Sequence, residues 1–350
     1  MRWGNLAFTY GSLGNYDQGA SAASESLQQN PNDAIGYLGL AVFQMALDQV
    51  PQSHKTIQDA FDRKLDSEVF HPLLYSLAFL SNDEQSMATQ VTWSEGKSET
   101  VPMLLAVQSS KEGYYGHWKK ARELNRLAVE SLERVGRKER AVNESMTAAL
   151  RDAAFGYLRE AREVAISLLS QPNVGDHAKE DGALIFAWVG ETARADLLVK
   201  SLAKDRPEAT ILQSVVLPTV RAEVELFKKR PERSIELLRI AAPYQFSWDA
   251  FSGVYEGCLY PVYVRGQAYL ALKDGLAAQA EFKKILNHRG IVRTCETGAL
   301  ARLGIARAYV VQGNTAKAKV AYQDFLTLWK DSDPDIPILN QAKTEYAKLQ

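Results

Sequence analysis

The stretch Trp3–Pro31, WGNLAFTYGSLGNYDQGASAASESLQQNP, decides the fold. Trp3, Leu6, Ala7 and Tyr10 fall at helical spacing, Gly14 interrupts them, and a second helical stretch runs to Asn30-Pro31. Gly14 is followed five residues later by Gly19. The same spacing recurs from Gly116 to Ala121, Gly156 to Ala161, Gly190 to Ala195 and Gly313 to Ala318. Asp48 and Asn82 keep the register, because Gly14, Asp48, Asn82 and Gly116 lie 34 residues apart, and Gly156 to Gly190 is 34 again. A period of 34 residues belongs to helical hairpins stacked in a row.

The residue types follow from the turn. A tight connection between antiparallel helices ends the first with a residue in the left-handed region, which glycine enters freely and Asn or Asp tolerate. Five residues on, the second helix approaches the first closely and needs a small side chain, a role that Ala121, Ala161, Ala195 and Ala318 fill. Positions further along that helix are mostly apolar and share one face, with Asn125 as the exception.

Of the 350 residues, 46% are hydrophobic, enough for a substantial core, and the repeat turns the chain into one elongated array. With 41 basic and 42 acidic residues the net charge is -1, so no global field draws in nucleic acid or an anionic surface. Cys258 and Cys295 are the only cysteines, and the expectation is two buried apolar thiols rather than a disulfide. No apolar run reaches the length of a membrane span. That predicts a cytoplasmic chain, or a periplasmic one if a parent protein carries a span upstream. The apolar helix face begins at Trp3 without a cap before it, which suggests a piece of a larger protein.

Nine hairpins and a terminal helix are expected. Units one to seven occupy 1–243, an aromatic insertion occupies 244–257, units eight and nine occupy 258–330, and a capping helix lies in 331–350 with Asp335 as its cap. A basic loop at Arg137 to Arg140 accounts for the longer spacing between Gly116 and Gly156. Lys229-Arg230-Pro231 replaces the glycine turn in unit seven, and unit eight is expected to turn at Asp274-Gly275. The insertion holds Tyr244, Phe246, Trp248, Phe251 and Tyr255. It serves either as a plug between units seven and eight or as an aromatic anchor for a partner.

Trp3, Ala7, Tyr10, Gly14, Tyr16, Gly19, Ala23 and Pro31, and again Ala306, Tyr309, Gly313, Ala318 and Tyr322, resemble the tetratricopeptide repeat pattern. The resemblance implies an all-α, right-handed α-solenoid of about nine hairpins plus a C-terminal capping helix. The stretches 259–270, 285–292 and 321–339 look like the repeat tail of acidobacterial eukaryotic-like serine/threonine protein kinases. That likeness implies a sensory or docking arm, with the kinase, or alternatively a winged-helix DNA-binding module, outside this chain.

No catalytic constellation is legible. The glycine-rich loop, strand lysine and metal-binding acids of a kinase are missing, and His288-Arg289 is followed by Gly290 where a catalytic loop needs an acid. His54, His71, His117, His177 and His288 are scattered one per region, so no catalytic, cofactor or metal site is assigned. Solenoids bind through the inner face built by the first helix of each hairpin. Inner-face positions include Ser76, Ser110 and Glu223, and Tyr263, Gln267 and Arg307 are the candidate contacts for a protein or peptide, with Trp248 as a fourth. The same side chains can instead stabilise neighbouring helices.

Overall fold

The computed structural model describes residues 2–248 and 257–350, and among them all regular structure is helical. The first four hairpins pair α1 (Arg2–Ser12) with α2 (Tyr16–Gln29), α3 (Ala34–Ala46) with α4 (Val50–Asp62), α5 (Phe70–Leu80) with α6 (Glu84–Ser94), and α7 (Val101–Tyr114) with α8 (Trp118–Arg134). Next come α9 (Lys138–Phe155) with α10 (Leu158–Leu169), α11 (Asp176–Trp188) with α12 (Thr192–Asp205), and α13 (Leu217–Phe227) with α14 (Pro231–Leu237). A π-helical turn at Leu212–Val216 leads into α13. The last part holds α15 (Tyr260–Ala271) with α16 (Gly275–Leu286), the short α17 (Arg289–Val292), α18 (Glu296–Val311) with α19 (Thr315–Leu328), and α20 (Pro337–Ala347).

Each hairpin turn is built on the same pair of residues. The first residue is left-handed: Gly14, Asp48, Asn82, Gly116, Gly156, Gly190, Lys229, Lys273 and Gly313 all have positive φ. Its N–H and that of the next residue bond back into the finished helix, as Gly14 N to Gly11 O at 2.9 Å and Asn15 N to Tyr10 O at 2.8 Å. This is a Schellman closure, which satisfies carbonyls the helix end would otherwise leave bare. The second residue stands at the start of the next helix, and in three units its side chain caps it: Asp83 accepts from Ser86 N at 3.0 Å, Asp274 from Ala277 N at 3.0 Å and Asn314 from Lys317 N at 3.1 Å.

The repeat is therefore more regular in backbone than in sequence. Unit eight turns at Lys273 (φ 62), not at Asp274-Gly275, which are the cap and first residue of α16. Lys229 (φ 60) holds the left-handed position in unit seven without a glycine. Five residues beyond each turn stand Gly19, Ser53, Met87, Ala121, Ala161, Ala195, Ser234, Ala278 and Ala318, all buried and, apart from Met87, all small. Each faces a position in the first helix, as where Ser53 Oγ donates to Ala41 O at 2.7 Å and Ser109 Oγ to Ala121 O at 2.7 Å. The expected basic loop at Arg137–Arg140 is instead helical from Lys138. The longer spacing is taken up by α8 and α9, which run 17 and 18 residues. Ile336 rather than Asp335 caps α20, with Pro337 opening it where a missing donor is harmless.

The array coils until its last third lies along the row of turns made by the first five units. Gly290 N donates to Asp48 Oδ1 at 2.7 Å, and Arg289 Nη2 donates to Leu80 O at 3.2 Å. Trp329, 2% exposed, donates from Nε1 to Tyr114 O at 2.9 Å and meets the Phe155 ring edge-on at 5.2 Å. Asp333 N donates to Gly116 O at 3.0 Å, and Pro337 covers Gly156. Three turn glycines thus serve twice: a Cβ at Gly14, Gly116 or Gly156 would meet Phe246, Ser332 and Trp329, or Pro337, whereas Gly313 faces open space. Most buried apolar residues of units one, five, six, eight and nine, with Phe43 and Ala46 from the end of α3, form one core that includes Phe155, Phe282, Phe325 and Trp329, while Ala222, Leu238 and Val264 pack in a small separate cluster.

Cys258 and Cys295 form a disulfide, with Cα atoms 5.5 Å apart, instead of the expected separate thiols. The cause is tertiary: the segment before α15 and the cap of α18 run side by side, joined also by Thr297 Oγ1 donating to Cys258 O at 2.7 Å and Gly257 N to Ile291 O at 3.1 Å.

Candidate functional site

The closing of the array decides which inner faces remain accessible. In units five and six the inner positions are buried. Leu150 and Leu184 are 1% and 0% exposed, and Arg151, 5% exposed, donates to Ser109 O and Oγ at 3.2 Å each. Glu296 at the start of α18 is buried beside them, and Tyr260 donates to its Oε1 at 2.5 Å. Burial pushes the Glu296 carboxyl above its ordinary range despite that bond.

Units one and two are filled differently. The segment Phe246–Trp248 folds back onto them, far from the expected place between units seven and eight. Trp248 stacks on Phe43 at 5.4 Å, with Phe8 and Tyr16 each 6.2 Å away. Tyr16 Oη donates to Phe246 O at 2.6 Å, Ser247 Oγ donates to Ser12 O at 2.5 Å, and Phe246 stacks on His288 at 4.2 Å. Gly11 makes room for the indole, since a Cβ there would collide with both Phe43 and Trp248. Phe251 and Tyr255 lie outside the described residues.

The inner groove of the last units is open. A cavity of about 550 Å³ lies among α13, α15, α18 and α20, with Leu226, Leu270 and Val311 as apolar lining and Gln267, Arg307 and Glu345 as polar groups. Two of the four candidate contacts, Gln267 and Arg307, meet there because they hold equivalent places six residues before the turns at Lys273 and Gly313. Arg307 grips Glu345 of α20 through two bonds, Nε to Oε2 at 2.9 Å and Nη2 to Oε1 at 3.1 Å, and Tyr322 Oη donates to the same carboxylate at 2.8 Å. Tyr263, only 8% exposed, accepts from Gln267 Nε2 at 2.9 Å and so stands behind Gln267. Trp248 sits apart, in units one and two.

Glu223 is the inner-face residue of unit seven. Burial pushes its carboxyl up to about 7, opposed by a hydrogen bond from Trp188. Three histidines are held by partners in the fold. His71 is buried between Gln90 Oε1 at 2.7 Å and Asp66 Oδ1 at 3.2 Å and stacks on Trp93, while His117 pairs with Glu112 and His288 Nδ1 with Lys284 O. Sequence reasoning missed Asp48, Gly290, Phe43 and Trp329 as the residues that close the array. Trp329 alone left a signal, a tryptophan at the end of an amphipathic helix next to a breaker.

No family profile matches the chain, and no curated protein sequence does. Among solved structures, similarity extends to yeast Tom70 (12% identity, TM-score 0.45, 99% of this chain and 88% of that one). It also extends to the TPR domain of P58(IPK) (11%, 0.28, 99% and 97%) and the Naa15/Naa10 structure with HypK-THB bound (13%, 0.29, 100% and 65%). At TM-scores below 0.5 these likenesses carry no residue, ligand or partner over to this chain.

Proposed function

We propose that this chain is a non-catalytic scaffold that binds a protein or peptide in the inner groove of units seven to nine. The observation that carries the reading is the open cavity of about 550 Å³ where Gln267 and Arg307 converge beside an apolar floor. A concave, mostly apolar site with a few fixed polar groups is the form that recognition sites take. The Arg307–Glu345 pair and the Gln267 amide, already fixed by bonds within the chain, give its wall ordered polar groups beside which a peptide's main chain can bond. Affinity capture from a lysate of the source organism, read by mass spectrometry, tests it. A partner held by the unaltered chain and lost from the Gln267→Ala/Arg307→Ala variant supports the groove, and an unchanged set of captured proteins sinks it.

The finer reading makes this scaffold the sensory or docking arm of a bacterial signalling protein, with a serine/threonine kinase or a transcription regulator's DNA-binding part elsewhere in the parent. Its support is the likeness of 259–270, 285–292 and 321–339 to kinase repeat tails. Phosphorylation of a generic acceptor by the full-length gene product, absent from this chain alone, tests the kinase version.

A further inference from the structure

Units one and two already hold a short turn segment on the Gly14 turn and on α1 to α3, and the segment is the chain's own, following the 3-10 turn Ala242–Tyr244. Phe246, Ser247 and Trp248 are read in succession. Tyr16 Oη takes the Phe246 carbonyl at 2.6 Å, the Ser12 carbonyl takes the Ser247 hydroxyl at 2.5 Å, and the Trp248 indole stacks on Phe43 at 5.4 Å with Phe8 and Tyr16 beside it. The receptor groups come from α1, α2 and α3, two consecutive hairpins, and Gly11 leaves the space the indole fills. Next to Phe8 the same surface continues into a cavity of about 310 Å³ that the segment does not fill, lined by Gly4, Asn5, Ile35, Gly36 and Gly39. Phe8 and Ile35 are 36% and 49% exposed there.

We propose that this surface is a docking site for a partner peptide that presents a hydroxyl residue followed by tryptophan in a turn, and that Phe246-Ser247-Trp248 occupies it in cis. A tethered occupant competes at an effective concentration in the millimolar range. A partner displaces it by adding an apolar side chain in the cavity beside Phe8. Burying one such group raises affinity roughly 10- to 100-fold. This site is separate from the groove of units seven to nine, so either can fail without the other.

The test uses the full chain and a fluorescein-labelled peptide of residues 244–248, Tyr-Gln-Phe-Ser-Trp, followed by fluorescence anisotropy. Trp248→Ala vacates the ring site and weakens the hold of the tethered Phe246 and Ser247, so the variant is expected to bind the peptide at least tenfold more tightly than the unaltered chain. A control peptide ending in alanine is expected not to bind. Should Trp248→Ala melt out by circular dichroism, Trp248→Phe keeps a ring in place with weaker stacking and is expected to show the same preference. A folded variant that ignores the peptide, or that takes both peptides alike, overturns the proposal. Dimerisation of the unaltered chain that Trp248→Ala abolishes also overturns it, by giving the site to a second copy.

Discussion

Asp48 Oδ1 accepts a hydrogen bond from the Gly290 backbone N–H at 2.7 Å, across 242 residues of chain. Asp48 is the left-handed turn residue of unit two, and Gly290 lies in α17 so close to the end of α3 that a Cβ would fall on the Met45 carbonyl. One contact therefore joins the repeat's own turn to the closure of the whole array.

Gly290→Ala is expected to cost about 3 kcal/mol or more, because backbone rather than a movable side chain stands in the way. Asp48→Ala removes a charge-assisted bond and strains the left-handed turn, for a loss of about 2–3 kcal/mol. Asp48→Asn keeps both the conformation and an acceptor and loses less. Urea unfolding ranks the three, and equal stability of all of them would mean the contact is incidental.

The turn glycines separate conformation from contact. Gly313 has open space around its Cβ position, so Gly313→Ala costs only the left-handed strain of about 1 kcal/mol. Gly116→Ala adds collision with Ser332 and Trp329 and is expected to cost about 2–4 kcal/mol. The exposed Lys273 at φ 62 offers the reverse: Lys273→Gly relieves strain and adds about 0.5–1 kcal/mol. Thermal melts of the three variants give the order directly.

The disulfide closes a loop of 37 residues between Cys258 and Cys295. Loop-closure entropy puts its contribution at about 4 kcal/mol. Adding a dithiol reductant, or the Cys258→Ser/Cys295→Ser pair, should lower the urea midpoint accordingly. Identical midpoints with and without reductant would contradict that value.

Glu223 links stability to pH. Its folded carboxyl, raised to about 7 from 4.5, holds its proton more tightly than the unfolded chain does. Stability is then highest below about 4.5, falls as pH rises toward 7 and levels off above it. Glu296, pushed up by burial, tilts stability the same way. Glu223→Gln is expected to remove most of this slope and to be more stable than the parent at pH 8 by roughly 1–3 kcal/mol. Parallel profiles for parent and variant from pH 4.5 to 8 would place the coupling elsewhere.

The hairpins were legible because their cause is local. A residue that enters the left-handed region and a small residue five positions later determine a turn and a close helix pair, and both leave marks at a fixed spacing. Lys229 and Lys273 show the limit of that signal. Lysine in a left-handed turn is a strained choice that the packed helices on either side enforce, so the Asp274-Gly275 pair drew the expected turn one residue too far. The candidate groove was half legible: equal offsets from successive turns put Gln267 and Arg307 on one face, but nothing in that spacing said that α20 would bring Glu345 onto Arg307.

By itself the sequence determined an all-α array of hairpins, since each turn depends on residues within one or two helical turns of one another. Only the tertiary structure decided that Gly14, Gly116 and Gly156 would be covered, that Trp248 would lie on Phe43, and that Cys258 would meet Cys295. Those contacts depend on the small rotation from each hairpin to the next, summed over many units. A sum of small angles has no local residue pattern, and only the coiled chain shows where its ends come together.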